Sequence, residues 1–194
     1  SYEGDIRNFR AHGKGKFVTL DGYSYFGSWL NDKKNGEGEE DNPIERYKYR
    51  GEFLDNKFHG RGILTLENGT TYDGEWEEGE FTGKGTLFDA EKNEKYVGAW
   101  KNFKKCGQGT LWLADGSIYI GSFNDDLPEG YGEFRWVDGY VYKGTWRGGL
   151  QNGSGIQVNP DGTEKEGEWL EGDWLRWSTA SRNSTPKSSP EQVV

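Results

Sequence analysis

The side chains with catalytic or metal-binding chemistry are few: His12, His59, the single cysteine Cys106, and 33 carboxylates. Nucleophilic catalysis needs a nucleophile, a base within hydrogen-bond reach and a group to orient that base. The two histidines sit at equivalent, distant places, each just before a Gly-x-Gly pair, and Cys106 holds the same place elsewhere. No Ser/His/Asp or Cys/His constellation follows, and a structural turn role is the expectation for His12 and His59. With one cysteine there is no internal disulfide and no C-x-x-C metal pair. The Gly-x-Gly pairs resemble fragments of a phosphate loop, but they recur seven times without helix-forming sequence after them. No carboxylate pair is placed in an apolar pocket where a pKa would shift. The expectation is a chain with no catalytic residue, no cofactor and no metal. The sequons at Asn68, Asn152 and Asn183 carry little weight, because the lone cysteine fits a reduced, cytosolic-type compartment.

One basic run has binding chemistry. Arg46-Tyr47-Lys48-Tyr49-Arg50 as a strand would show Arg46, Lys48 and Arg50 on one face, the best candidate for an anion or lipid contact. Against it stands a net charge of −9, which repels phosphate backbones and anionic lipid at long range. Nucleic acid is excluded on that ground and membrane lipid disfavoured. No apolar run approaches a membrane span and none at the start of the chain reads as a signal peptide.

The elements that carry these residues are set by a repeat of about 23 residues. Tyr2, Tyr25, Tyr49, Tyr72, Tyr96, Tyr119 and Tyr142 open seven units, and Lys165 opens a partial eighth. Two residues on there is always glycine, as in Gly74. Four residues on there is a large apolar side chain, as in Trp76. Eleven and thirteen residues on comes a glycine pair, as in Gly83 and Gly85. These places take up 22 of the 31 glycines. Length varies only after the pair, which marks that stretch as loop. Five further glycines follow Asp or Asn, as in Asp21-Gly22 and Asn68-Gly69, where positive φ and type I′ turns are favoured.

Residues two apart share one face of a strand, so each unit reads as two antiparallel strands with Tyr, Gly and Trp on one side. The fold class is all-β: a single-layer solenoid of tandem antiparallel β-hairpins spanning residues 2–172. Aromatics are 15% of the chain and Met is absent, which suits a core one ring thick. The glycines leave slots across which neighbouring rings can lie. The aromatic stripe Tyr72, Trp76, Tyr96, Trp100, Tyr119, Phe123, Tyr142 and Trp146 is the candidate partner-binding groove, since aromatic residues anchor interfaces. The same rings also hold the fold together. A helix or an extended peptide of a protein partner suits such a groove, and open sheet edges offer pairing to a second copy.

The Tyr-x-Gly-x-Trp…Gly-x-Gly units resemble MORN repeats, the membrane occupation and recognition nexus family, over about residues 2–172, most of the chain. The resemblance implies the same hairpin solenoid. It also implies a non-enzymatic binding or scaffolding module of a cytoplasmic cytoskeletal, ciliary or axonemal assembly. A membrane-lipid adaptor and a regulatory module for an enzyme on another chain are the alternatives.

Unit two departs from the pattern. It runs into Glu39-Glu40-Asp41-Asn42-Pro43, with Glu40 where other units carry an apolar residue. The expectation there is a broken or displaced second strand, or a projecting acidic loop over 39–45. At the far end Trp174 and Trp177, in residues 173–177, read as a cap over the last hairpin, or else as a docking segment. Residues 178–194 are polar and rich in Ser and Pro, a flexible tail in which Thr185-Pro186 and Ser189-Pro190 are candidate phosphorylation sites.

Overall fold

Glycine at fixed intervals, aromatic rings between, and a turn every dozen residues produce one sheet in a computed structural model that describes residues 1–178. Sixteen strands lie in chain order, each antiparallel to the next. Every unit contributes two, from β1 (Tyr2–Arg7) and β2 (Arg10–Val18) to β15 (Glu164–Leu170) and β16 (Asp173–Trp177). At ~4.8 Å between strands the sheet extends about 70 Å. The expected tail from 179 onwards, with both Pro-directed motifs, lies outside the described residues.

Two kinds of turn alternate, and they correct the sequence expectation. The two-residue hairpin inside each unit has φ > 0 at both positions, as in Asn31 (51°) and Asp32 (69°), or Asp125 (46°) and Asp126 (72°). These are the type I′ turns. In the Asp-Gly and Asn-Gly pairs that join units, only the glycine has φ > 0. There the preceding side chain caps the turn: Asn68 Oδ1 accepts from Thr70 N (2.9 Å) and Asp115 Oδ1 from Ser117 N (2.8 Å). A type I turn closed by a glycine bulge needs positive φ at one residue alone.

The glycines do two jobs. Gly74 pairs with Gly85 within unit four and with Gly62 of unit three. This register repeats from Gly4 to Gly167, so a ladder of glycines crosses the sheet from β1 to β15. A Cβ on Gly85 would lie 2.5 Å from the hydroxyl of Tyr72, whose ring covers the slot. The first glycine of each pair is different. Gly83, at φ +54°, marks a bulge between Gly74 and Glu75 of the partner strand β7 (Thr71–Glu77).

The rings form a continuous core. Tyr72 meets Trp76 of its own unit edge-on at 5.2 Å and Trp100 of the next at 5.7 Å. The hydroxyl of each unit-opening tyrosine donates to the carbonyl three residues on, as Tyr119 does to Ser122 O (3.0 Å). Trp76 Nε1 donates to Gly62 O (3.1 Å), which ties unit four to unit three. Burial pushes the hydroxyls of Tyr119 and Tyr142 up to about 12 and raises those of Tyr25, Tyr49, Tyr72 and Tyr96 further.

Unit two is intact. Its second strand β4 (Lys33–Asn42) runs without a break, and neither a displaced strand nor a projecting acidic loop forms. Glu40 takes the core place instead, 4% exposed. It forms an ion pair with Lys34 and accepts from the Tyr47 hydroxyl at 2.8 Å. Lys34 in turn donates to the Tyr23 hydroxyl (3.0 Å) and lies 5.2 to 5.6 Å from the ring centroids of Tyr23, Tyr25 and Phe53. A carboxylate is tolerated there because a cation, an aromatic cage and a phenol were brought to it together.

At the far end Trp177 pairs with Gly167 and lies edge-on to Trp169 at 6.0 Å, and the Lys165 ammonium is 5.3 Å from its ring centroid. Trp174 remains 49% exposed.

Candidate functional site

The eight rings expected to line a groove do not line one. Tyr72, Trp76, Tyr96, Trp100, Tyr119, Phe123, Tyr142 and Trp146 are all between 1% and 8% exposed. The reason is the glycine ladder. With no Cβ beneath them the rings lie flat on the backbone and close against the tryptophans of neighbouring units, leaving no ring face for a partner. They are the core.

Alternation along the strands puts the other side chains on the opposite face, which no element among the described residues covers. In β7 the buried Tyr72, Gly74 and Trp76 alternate with the exposed Asp73, Glu75 and Glu77. Around β9 (Glu94–Lys101), β10 (Lys104–Trp112) and β11 (Ile118–Asn124) that open face turns apolar. Val97 lies opposite Thr86 and Thr110, Ile120 opposite Thr110, and Ile118 opposite Trp112. Phe88, Val97, Trp112 and Ile120 are 37% to 39% exposed. Their separation in sequence makes them a patch rather than a scatter of single residues, since four adjacent strands supply them. The Lys95 ammonium lies 5.5 Å from the Trp112 ring centroid. Beside the patch a concavity of about 570 Å³ is lined by Thr86, Val97, Arg61, Asp73 and the bare backbone of Gly85 and Gly98.

The basic run is divided. Arg46 precedes β5 (Tyr47–Leu54) at φ +62°, so it shares no strand face with the other two, and Glu67 lies 3.5 Å away. Lys48 and Arg50 do lie on the open face, where they meet Asp41 (2.7 Å) and Glu39 (3.3 Å). They help line a second concavity, of about 560 Å³, with Phe26 and Ile63. Each cation has a carboxylate against it, so the run presents little free positive charge. His12 and His59 fall within β2 and β6 (Lys57–Leu66), beside the bulged glycine and not in a turn. Among the described residues no three His, Cys, Asp or Glu side chains converge as metal ligands.

The sequence pattern favoured the constant positions and so missed Phe88, Val97, Trp112, Ile118 and Ile120. The usable signal was the alternation itself. The residue after each opening tyrosine faces away from the core, and it is Val97 in unit five and Ile120 in unit six.

A hairpin array with one closed aromatic face and one open face defines a repeat scaffold. Seven matches to the MORN repeat, over residues 2–22, 25–43, 49–71, 72–91, 96–118, 119–139 and 142–164, cover most of the sequence. The chain belongs to the MORN-repeat family. No curated protein matches it in sequence. Among solved structures it is similar to the SAS-4 (dCPAP) TCP domain of Drosophila melanogaster, in complex with a proline-rich motif of Ana2 (dSTIL). The identity is 15% and the TM-score 0.43, covering 79% of this chain and 88% of that one. The TCP10 domain of Danio rerio CPAP follows at 11% and 0.29, covering 87% and 90%. Scores this low carry no functional weight.

Proposed function

We propose that this chain is a non-enzymatic protein-binding scaffold that holds an apolar segment of a partner on its open face, within a cytoplasmic cytoskeletal or axonemal assembly. The observation that carries the reading is the exposed patch of Phe88, Val97, Trp112 and Ile120 across four strands. From β8 (Glu80–Asp89) to β11 the patch is about 14 Å long. An amphipathic helix laid along the array would cover it with about ten residues. Membership of the repeat family supports binding in general, and a protein partner is proposed because the patch is apolar.

Photocrosslinking in cells tests the reading. A benzophenone amino acid at Ile120 is expected to give a discrete protein adduct. The same group at Glu78, in a hairpin turn, is expected to give none. Val97→Glu is expected to abolish the Ile120 adduct. Equal labelling from both positions, or an adduct to lipid alone, would overturn the proposal.

A further inference from the structure

In four of the units the residue nine places after the opening tyrosine acts as a lid on that tyrosine's ring. Phe58 stacks on Tyr49 at 3.8 Å and 9°, and Phe81 on Tyr72 at 3.7 Å and 3°. Lys34 and Lys105 instead place an ammonium 5.5 and 5.8 Å from the rings of Tyr25 and Tyr96. In unit one the lid residue is Ala11.

The surroundings of Ala11 are those of a ring site. Ala11 pairs with Ile6 as Phe58 pairs with Phe53 and Phe81 with Trp76. Tyr2 meets Trp29 edge-on at 5.5 Å and 89°, against 5.4 Å and 88° for Tyr49 with Trp76. What differs is coverage. Tyr2 and Trp29 are half-buried, whereas Tyr49 and Trp76 are 1% and 3% exposed. Over Tyr2 lies a concavity of about 490 Å³, lined by Ile6, Ala11, Phe17 and Trp29, with Phe9 and Arg10 among its walls. That is the size of a ligand pocket.

The charged groups of the lining are Arg10, Lys34 and Asp32, and Arg7 lies beside them. Arg10 lies across the hairpin from Arg7. The carboxylate of Asp32 is 3.8 Å from Arg10, and its Oδ1 is committed to Ala11 N at 2.7 Å. Arg7 has no ion pair among the described residues.

We propose that this pocket is a docking site for a phenylalanine or tyrosine side chain carried in an acidic segment of a partner protein. The ring takes the place that Phe58 and Phe81 fill in units three and four, stacked on Tyr2 and edge-on to Trp29. Acidic neighbours meet Arg7 and Arg10. The site is separate from the open face described above, so either can fail without the other.

NMR of the full chain tests it through the indole N–H of Trp29, which donates to Gly15 O at 3.0 Å. The probes are p-cresol and N-acetylated Asp-Phe-Asp amide. Both are expected to shift that signal saturably, with Lys-Phe-Lys amide roughly tenfold weaker. Ala11→Phe supplies the ring internally and is expected to raise the Tm and abolish both shifts. Ala11→Lys copies the lids of units two and five, and is expected to abolish them too should the Phe variant fold poorly. Absence of a saturable shift with the peptide, or its persistence in both variants, would overturn the proposal. So would a Trp29 signal that moves with protein concentration alone, which would give the site to a second copy.

Discussion

Lys34→Met removes the one cation that opposes the buried Glu40. Their side chains are 14% and 3% exposed, and breaking a buried ion pair costs about 3–5 kcal/mol because the remaining charge loses its partner. Glu40 keeps the Tyr47 hydroxyl at 2.8 Å, which sets the cost near the lower bound, about 3 kcal/mol. Glu40→Leu is milder. Lys34 still has three ring faces within 5.6 Å, worth ~1–2 kcal/mol, and its long stem lets the ammonium turn to water. In the double variant Leu faces Tyr25 as Leu64 faces Tyr49 and Leu87 faces Tyr72. That variant is expected within about 1 kcal/mol of the parent, since only the Tyr23 and Tyr47 hydroxyls lose partners and each is half-buried.

A solenoid's stability is a sum of neighbour terms, so the loss should stay local. Amide hydrogen exchange read by mass spectrometry is the assay. In Lys34→Met, peptides from β3 (Ser24–Leu30) to β6 should exchange about a hundredfold faster, since ~1.4 kcal/mol is a factor of ten. Peptides from β11 onward should not change. An acceleration below about fivefold, or a double variant no slower than the single, would refute the account of Glu40 as a charge held by a purpose-built cage.

Other expectations concern the glycines, the open face and alkaline pH. Gly74→Ala puts a Cβ 2.5 Å from the Tyr72 hydroxyl and 2.7 Å from Gly85 Cα, and should cost about 3 kcal/mol in urea unfolding. Gly162→Ala meets nothing within 4 Å and only strains a φ of +83°, for a loss of about 1 kcal/mol. Equal losses at the two sites would contradict the slot argument. Val97→Glu with Ile120→Glu should leave the Tm within a degree or two, measured by circular dichroism. A collapse of the fold would place these residues in the core. Burial raises the folded-state pKa of the core tyrosines above the unfolded value near 10. Their contribution to stability is therefore full below pH 10 and is lost as pH rises from 10 through about 12. Tyrosinate absorbance from the core tyrosines should rise together with loss of β signal, and their free titration at pH 10 with the fold intact would sink this.

The hairpin array was legible because every unit repeats the same constraint. Tyr72, Gly74 and Trp76 cannot be read as anything but one face of a strand once six other units agree on the spacing. Unit two was not legible, because Glu40 in isolation is a polar residue in an apolar place. Its partners Tyr23, Lys34 and Tyr47 are compatible with the core only together, and a pattern compared place by place cannot see a joint substitution. The turns were misassigned for a related reason. Asp-Gly satisfies both a type I′ turn and a type I turn with a glycine bulge, and the hairpin closures at Asn8-Phe9 and Asn102-Phe103 carry a phenylalanine that no turn preference would select.

The same contrast separates structure from recognition along the whole chain. A position that must hold Gly or Tyr in every unit is spoken for by the backbone, because the ring and the slot define each other: Tyr72 cannot tilt out to meet a partner without uncovering Gly74 and Gly85 and losing its hydrogen bond to Glu75 O. Binding has to use positions the repeat leaves free. Those are the residue after each opening tyrosine, which runs Glu3, Phe26, Arg50, Asp73, Val97, Ile120 and Lys143, and the residue nine places on, which runs Ala11, Lys34, Phe58, Phe81, Lys105, Pro128 and Gln151. In a single-layer sheet whose constant places are spent on the core, specificity is expected to be written in the variable places. On the two proposals above, a chain with the same glycine and tyrosine frame but other residues at Val97 and Ala11 is expected to keep this sheet and bind something else.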